Sequence, residues 1–114
     1  MADRGEVLRL KRRLGFSAKG EADAIVVVQA NSLNAILPTL LVVPLDAAVG
    51  AYSGSSVVVR VSREETGSHV EHVAVPWSLR YISADSLAPG PVGRLRPDTL
   101  RALEASIRLV LDLA

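Results

Sequence analysis

Cysteine is absent from the 114 residues. That excludes disulfide scaffolds, thiolate zinc sites and cysteine nucleophiles together, and it suits a reducing cytoplasm. Aromatic residues are scarce: Phe16, Tyr52, Trp77 and Tyr81 are all there are, too few for an RNP-type stacking platform. No long hydrophobic run exists either. The richest, residues 36–45, is broken by Pro38 and Pro44 and is too short to cross a bilayer. The N-terminus carries Asp3 and Arg4 and lacks the apolar core of a signal peptide. A strong charge of one sign is also missing, because the formal net charge is +1. What is present is 49% hydrophobic and 22% charged, which excludes wholesale disorder, and the length fits one domain over residues 1–114. The chain reads as a soluble, cytoplasmic protein with no membrane segment.

The small net charge hides an asymmetry. Arg4, Arg9, Lys11, Arg12, Arg13 and Lys19 fall within the first twenty residues, opposed by Asp3 and Glu6. Between Ala24 and Arg60 the only charged side chain is Asp46. Such a concentration makes a local field for an anionic partner; the plainer alternative is a basic run that merely solvates a loop.

Glu6-Val7-Leu8-Arg9-Leu10 reads as a short first strand, and residues 11–23, polar and punctuated by Gly15 and Gly20, as a long loop. Residues 25–29 are β-branched and apolar, the pattern of a strand buried on both faces. Asn31-Ser32-Leu33-Asn34 suits one short helical turn. Residues 39–43 form a second apolar strand that Pro44 should stop, and residues 56–61 a third. Residues 63–68 read as a charged break, followed by short strands at 70–75, 79–82 and 92–95. A last helix begins at Pro97-Asp98, with Leu100, Leu103, Ile107, Val110 and Leu111 as its apolar stripe and Glu104–Arg108 as an i, i+4 ion pair. Many short strands closed by one helix predict an α+β fold: a small, strongly curved, barrel-like antiparallel sheet with a C-terminal helix.

In order along the chain, several segments resemble the MazF/PemK toxins. Arg4-Gly5-Glu6-Val7 is similar to the family's opening Arg-Gly-Glu/Asp, and residues 25–34 to its second strand and Asn-containing turn. Residues 40–44 resemble its third strand, and Leu79-Arg80-Tyr81-Ile82 its Ile-Arg-Thr-Ile segment. Residues 92–100 resemble its Gly-x-Leu-x-Pro-Glu-x-Leu lead-in to the last helix. The resemblance implies a homodimeric toxin of a type II toxin–antitoxin system that cleaves single-stranded RNA without a metal or other cofactor. It also implies a cognate antitoxin that is short, acidic and partly disordered. The chain departs from the family at functional positions. Asp23 and Ala24 stand at the Arg-Pro pair, Asp46 at the Thr/Ser, and Trp77 where some relatives carry an acidic residue. Those departures leave open a catalytically impaired member, or a non-catalytic growth inhibitor that binds a protein such as gyrase, as the structurally related CcdB toxins do.

Metal-independent RNA cleavage needs a base for the 2′-hydroxyl, cations for the phosphoryl oxygens and an acid for the leaving oxygen. Two carboxylates near a phosphate work against this, since unit charges ~4 Å apart interact by roughly 4 kcal/mol at an effective dielectric near 20. The candidate RNA-binding cations are Lys11, Arg12, Arg13, Lys19 and Arg80; the candidate catalytic residues are Arg13, Arg80 and His72. Arg80 also fits a structural role, paired with a carboxylate such as Asp85. His72 as base would set activity near neutral pH, whereas a histidine between valines fits the solvent face of a strand. With two histidines and no cysteine, a metal site is not expected, and the His-x-Glu at His69 lacks the cysteines of a zinc deaminase. Trp77 reads as core filler, or else as a surface that stacks a base or anchors the antitoxin.

Overall fold

A computed structural model describes residues 2–16 and 20–113, with residues 13–16 and 20–21 described as backbone alone. The strands are β1 (Glu6–Phe16), β2 (Gly20–Val27), β3 (Thr39–Asp46), β4 (Val59–Val61), β5 (His72–Ala74), β6 (Arg80–Ser83) and β7 (Gly93–Arg94). The helices are α1 (Asn31–Asn34), α2 (Arg63–Thr66) and α3 (Pro97–Val110). One antiparallel sheet runs β4-β5-β3-β2-β1-β7, with β6 also paired to β3. It curls as the expected α+β half-barrel with a C-terminal helix.

The centre of the sheet follows from its β-branched runs. Successive side chains alternate between faces. Val7, Ala24, Val26, Val43 and Leu45 therefore pack on one face with Leu103 of α3, and Leu8, Ile25, Val27, Leu40 and Val42 on the other with Leu87. Each fully buried Val or Ile contributes roughly 1.5–3 kcal/mol, whereas an exposed ion pair gives about 0–1. The core strands hold the sheet, and the surface charges are left for other work.

The first hairpin differs from the sequence reading. β1 does not end at Leu10: residues 11–16 and 20–23, expected as loop, are strand, and β1 and β2 pair outward as far as Phe16 opposite Gly20. Arg9 sits opposite Ala24 and Leu14 opposite Ala22. The four residues 10–13 on β1 thus face the single residue 23 on β2, an extended bulge. The pairing partner, which local propensity cannot see, makes this segment a strand.

Pro44 does not stop β3. In a strand a residue's N–H and C=O point to the same side, and the Pro44 carbonyl accepts from Val75 N–H. The missing proline donor therefore falls on the side where β3 changes neighbour, from β6 (Val42 opposite Arg80) to β5 (Leu45 opposite Ala74). No ladder bond is lost there. The strand expected over 56–61 is confined to Val59–Val61, and the one expected over 70–75 to His72–Ala74.

The break expected over 63–68 is α2. Ser62 and Glu65 form a reciprocal capping box, and Gly67 ends the helix in the left-handed conformation at φ +65°. A Cβ on Gly67 would overlap the Val92 carbonyl oxygen, and one on Gly93 the Glu65 carbonyl oxygen. α2 thus lies directly on β7. Glu65 also accepts the Arg96 N–H that leads into α3, at 2.8 Å. Burial opposes its ionisation, but the Arg96 N–H, the Thr99 hydroxyl and the Ser62 N–H and hydroxyl outweigh that and hold the carboxyl below its ordinary value.

α3 begins with Pro97 and Asp98 as expected. Glu104 pairs with Arg4, not Arg108, and Arg4 also donates from Nε to the Val28 carbonyl. Among the described residues no helix is long and apolar enough to cross a membrane.

Candidate nucleic-acid interface

The bulge explains how a short basic run becomes a local surface. Four consecutive residues crowd opposite one, so Leu10 turns inward and packs with the Leu8–Ile25 cluster while Lys11 and Arg12 are exposed. Arg13 belongs to β1, but its side chain lies outside the described residues, as does the whole of Lys19.

At the base of the bulge is a hollow of about 30 Å³ lined by Arg9, Asp23, Ala24, Thr66, Ser68, His72 and Val92. Its size admits one water or one hydroxyl. Arg9 pairs with Asp23 at 3.7 Å, so the carboxylate standing at the family's Arg-Pro position is accompanied by a cation. The sequence counted Arg9 in the basic run but not among the RNA-binding or catalytic candidates; its place in a strand opposite Ala24 brings it here.

His72 is not on the solvent face of its strand: β5 is a buried strand, and the residue is 6% exposed. Its Nδ1 lies 3.1 Å from the Val70 carbonyl oxygen. A carbonyl only accepts, so Nδ1 carries the proton in this bond and the neutral ring keeps its lone pair on Nε2. That tautomer is the one a general base needs.

Asp46 is buried, and both carboxylate oxygens are engaged, one by Ala48 N–H at 2.9 Å and the other by the Tyr52 hydroxyl at 2.7 Å. It orders the segment that follows β3. Trp77 is no core filler: it is 46% exposed, and its ring centroid lies 6.1 Å from that of Tyr52 at an interplanar angle of 46°.

The structure does not bring all the candidate residues together. Arg80 is opposite Val42, four positions along β3 from Asp46, or roughly 13 Å at the usual strand rise. His72 opens β5, one residue before Val73 of the Asp46–Val73 pair, on the side of the β1–β2 hairpin. His72 and the basic bulge therefore share one end of the sheet, and Arg80 lies towards the other, with its Nε donating to the Ser78 carbonyl at 3.1 Å. Among the described residues no group of three or more His, Asp or Glu is placed to hold a metal ion.

The sheet order and its closing helix define the fold of the MazF toxins. The structure is similar to a mycobacterial endoribonuclease solved in complex with its cognate antitoxin (TM-score 0.73, 16% identity, covering 99% of this chain and 95% of that one). It is similar also to the Mycobacterium tuberculosis toxin MazF-mt6 (TM-score 0.75, 16% identity, 96% and 98% covered) and to MazF from Deinococcus radiodurans (TM-score 0.76, 15% identity, 98% and 97% covered). At these identities the likeness establishes the fold. No protein-family model matches the chain, and no curated protein matches it in sequence.

Proposed function

We propose that this chain is the toxin of a type II toxin–antitoxin pair and cleaves single-stranded RNA without a metal. The observation that carries the reading is the bulge of residues 10–13, which carries exposed Lys11 and Arg12 and stands opposite Asp23, itself in the wall of the hollow that Arg9 and His72 line. The likeness in fold to an endoribonuclease bound to its antitoxin supports it. In this reading the RNA backbone follows the bulged strand, and a 2′-hydroxyl enters the hollow. His72 Nε2 takes its proton, the 2′-oxygen bonds to the adjacent phosphorus, and the 5′-oxygen leaves, protonated by water. Arg9, Arg12 and Arg13 hold the charge that grows on the phosphoryl oxygens. The repulsion expected from two aspartates is relieved, because Asp23 is paired with Arg9 and Asp46 is turned to Tyr52 and Ala48.

The partners follow from the same surface. A short acidic, partly disordered antitoxin would lie across the basic bulge, and the exposed Leu109, Leu111 and Leu113 at the end of α3 would be covered in a homodimer. The working compartment is the cytoplasm, where RNA is the target.

Purified protein incubated with a long RNA in EDTA tests the activity. Discrete cleavage is expected, and His72→Gln should lower its rate by about 10²–10⁴. Wild-type cleavage by the Arg12→Ala, Arg13→Ala double variant would overturn the assignment, and RNA binding without cleavage would reduce it to a non-catalytic inhibitor.

A further inference from the structure

The segment after β3 forms a second cavity, away from the hollow at His72. It holds about 360 Å³, and its walls include Tyr52, Ser53, Ser55, Val58, Arg60 and Val73. That volume is at the small end of the range for small-molecule sites. Three features give it a chemistry. Its aromatic wall is fixed, because the Tyr52 hydroxyl is tied to buried Asp46. Apolar faces are supplied by Val58 and Val73, and hydroxyls by Ser53 and Ser55. Among the described residues its only charged wall residue is Arg60. Arg60 meets Glu71 at 3.3 Å, but both side chains are largely exposed, so the pair is weak and open to exchange for a stronger anion.

We infer that this cavity is a binding site for one nucleotide, with the base against Tyr52, the sugar or base edge on the two serines, and the phosphate on Arg60. A ring surface beside a lone guanidinium is the pairing that single-stranded nucleic acid uses, and stacking tolerates any base. An acidic peptide would find one cation here and no second, so a nucleotide is the better fit. The inference deepens the ribonuclease reading and rests on it, since the nucleotide is one residue of the bound strand, outside the cleavage step.

The chain supplies its own reporter, because Trp77 is the only tryptophan and its ring neighbours Tyr52. Trp77 emission is titrated with UMP and AMP, with ribose 5-phosphate and inorganic phosphate as base-free controls, and with a short acidic peptide. Saturable quenching by both nucleotides is expected, with the base-free anions at least about tenfold weaker. Arg60→Ala should weaken nucleotide binding at least about tenfold without moving the melting temperature, and Tyr52→Phe, which keeps the ring, should retain most of it. Equal quenching by ribose 5-phosphate would overturn the base site, and a response to the peptide alone would assign the cavity to a protein partner. Nucleotide quenching without RNA cleavage in EDTA would leave this site standing and remove the ribonuclease reading. Cleavage without quenching would do the reverse.

Discussion

The α2–β7–α3 junction and the β1–β2 hairpin are built on opposite plans. At the junction every group is spoken for: Glu65 caps its own helix, accepts the N–H that opens α3, and sits where two glycines leave no room for a side chain. In the hairpin, pairing slips by several residues, and Lys11 and Arg12 lie exposed on the bulge. The first region is over-determined and serves stability. The second presents exposed charge at Lys11 and Arg12, and in the proposed function it is the part that meets RNA. A substitution should therefore harm one property or the other, seldom both.

The largest effect is expected at Gly93→Ala, whose new Cβ would overlap backbone, not a movable side chain. A loss of roughly 3 kcal/mol, lowering Tm by roughly 10 °C, is expected in thermal unfolding, with the salt dependence of RNA binding unchanged in the fraction that folds. Glu65→Gln comes next. It removes charge-assisted hydrogen bonds and should cost about 2 kcal/mol at pH 7 in urea titration. Because the folded carboxyl lies below its ordinary value, its contribution is present above about pH 4.3 and is lost as pH falls through the folded value. The wild type should therefore lose this increment on acidification, and the variant should not; an identical acid limb in both would show that the junction is held by shape alone. The smallest effect on stability belongs to Arg12→Ala with Arg13→Ala. Tm should stay within about 1–2 °C, while the log–log salt slope of single-stranded RNA binding becomes shallower by about 1.4, or 0.7 for each phosphate contact removed. An unchanged slope would mean that the bulge does not touch RNA, and the contrast between the two regions would lose its functional half.

Local chemistry made part of this architecture readable. The β-branched run at 25–28, the Asn-rich turn of α1 and the Pro97-Asp98 start of α3 each specify their element without outside help. The hairpin arm was hidden because residues 11–16 and 20–23 become strand only through each other's company, and Pro44 because its harm depends on which neighbour lies on its N–H side. α2 had a readable signal, Ser62-x-x-Glu65 followed by Gly67, which identifies a capped helix of one turn. At the candidate site the basic run was plain from composition. The presence of Arg9 beside His72 depended on pairing across the sheet, and the Asp46–Tyr52 bond on a fold-back that no periodicity announces.

Arg4 reaches Glu104, and on its outer side β1 meets Leu87, Ala88 and Val92 as well as Gly93 and Arg94 of β7. The first strand is therefore secured on both sides only once segments far apart in sequence, β1 with β7 and Arg4 with α3, have met. Contacts of such large sequence separation form slowly, so the strand that opens the described fold should be among the last to be fastened as the chain folds.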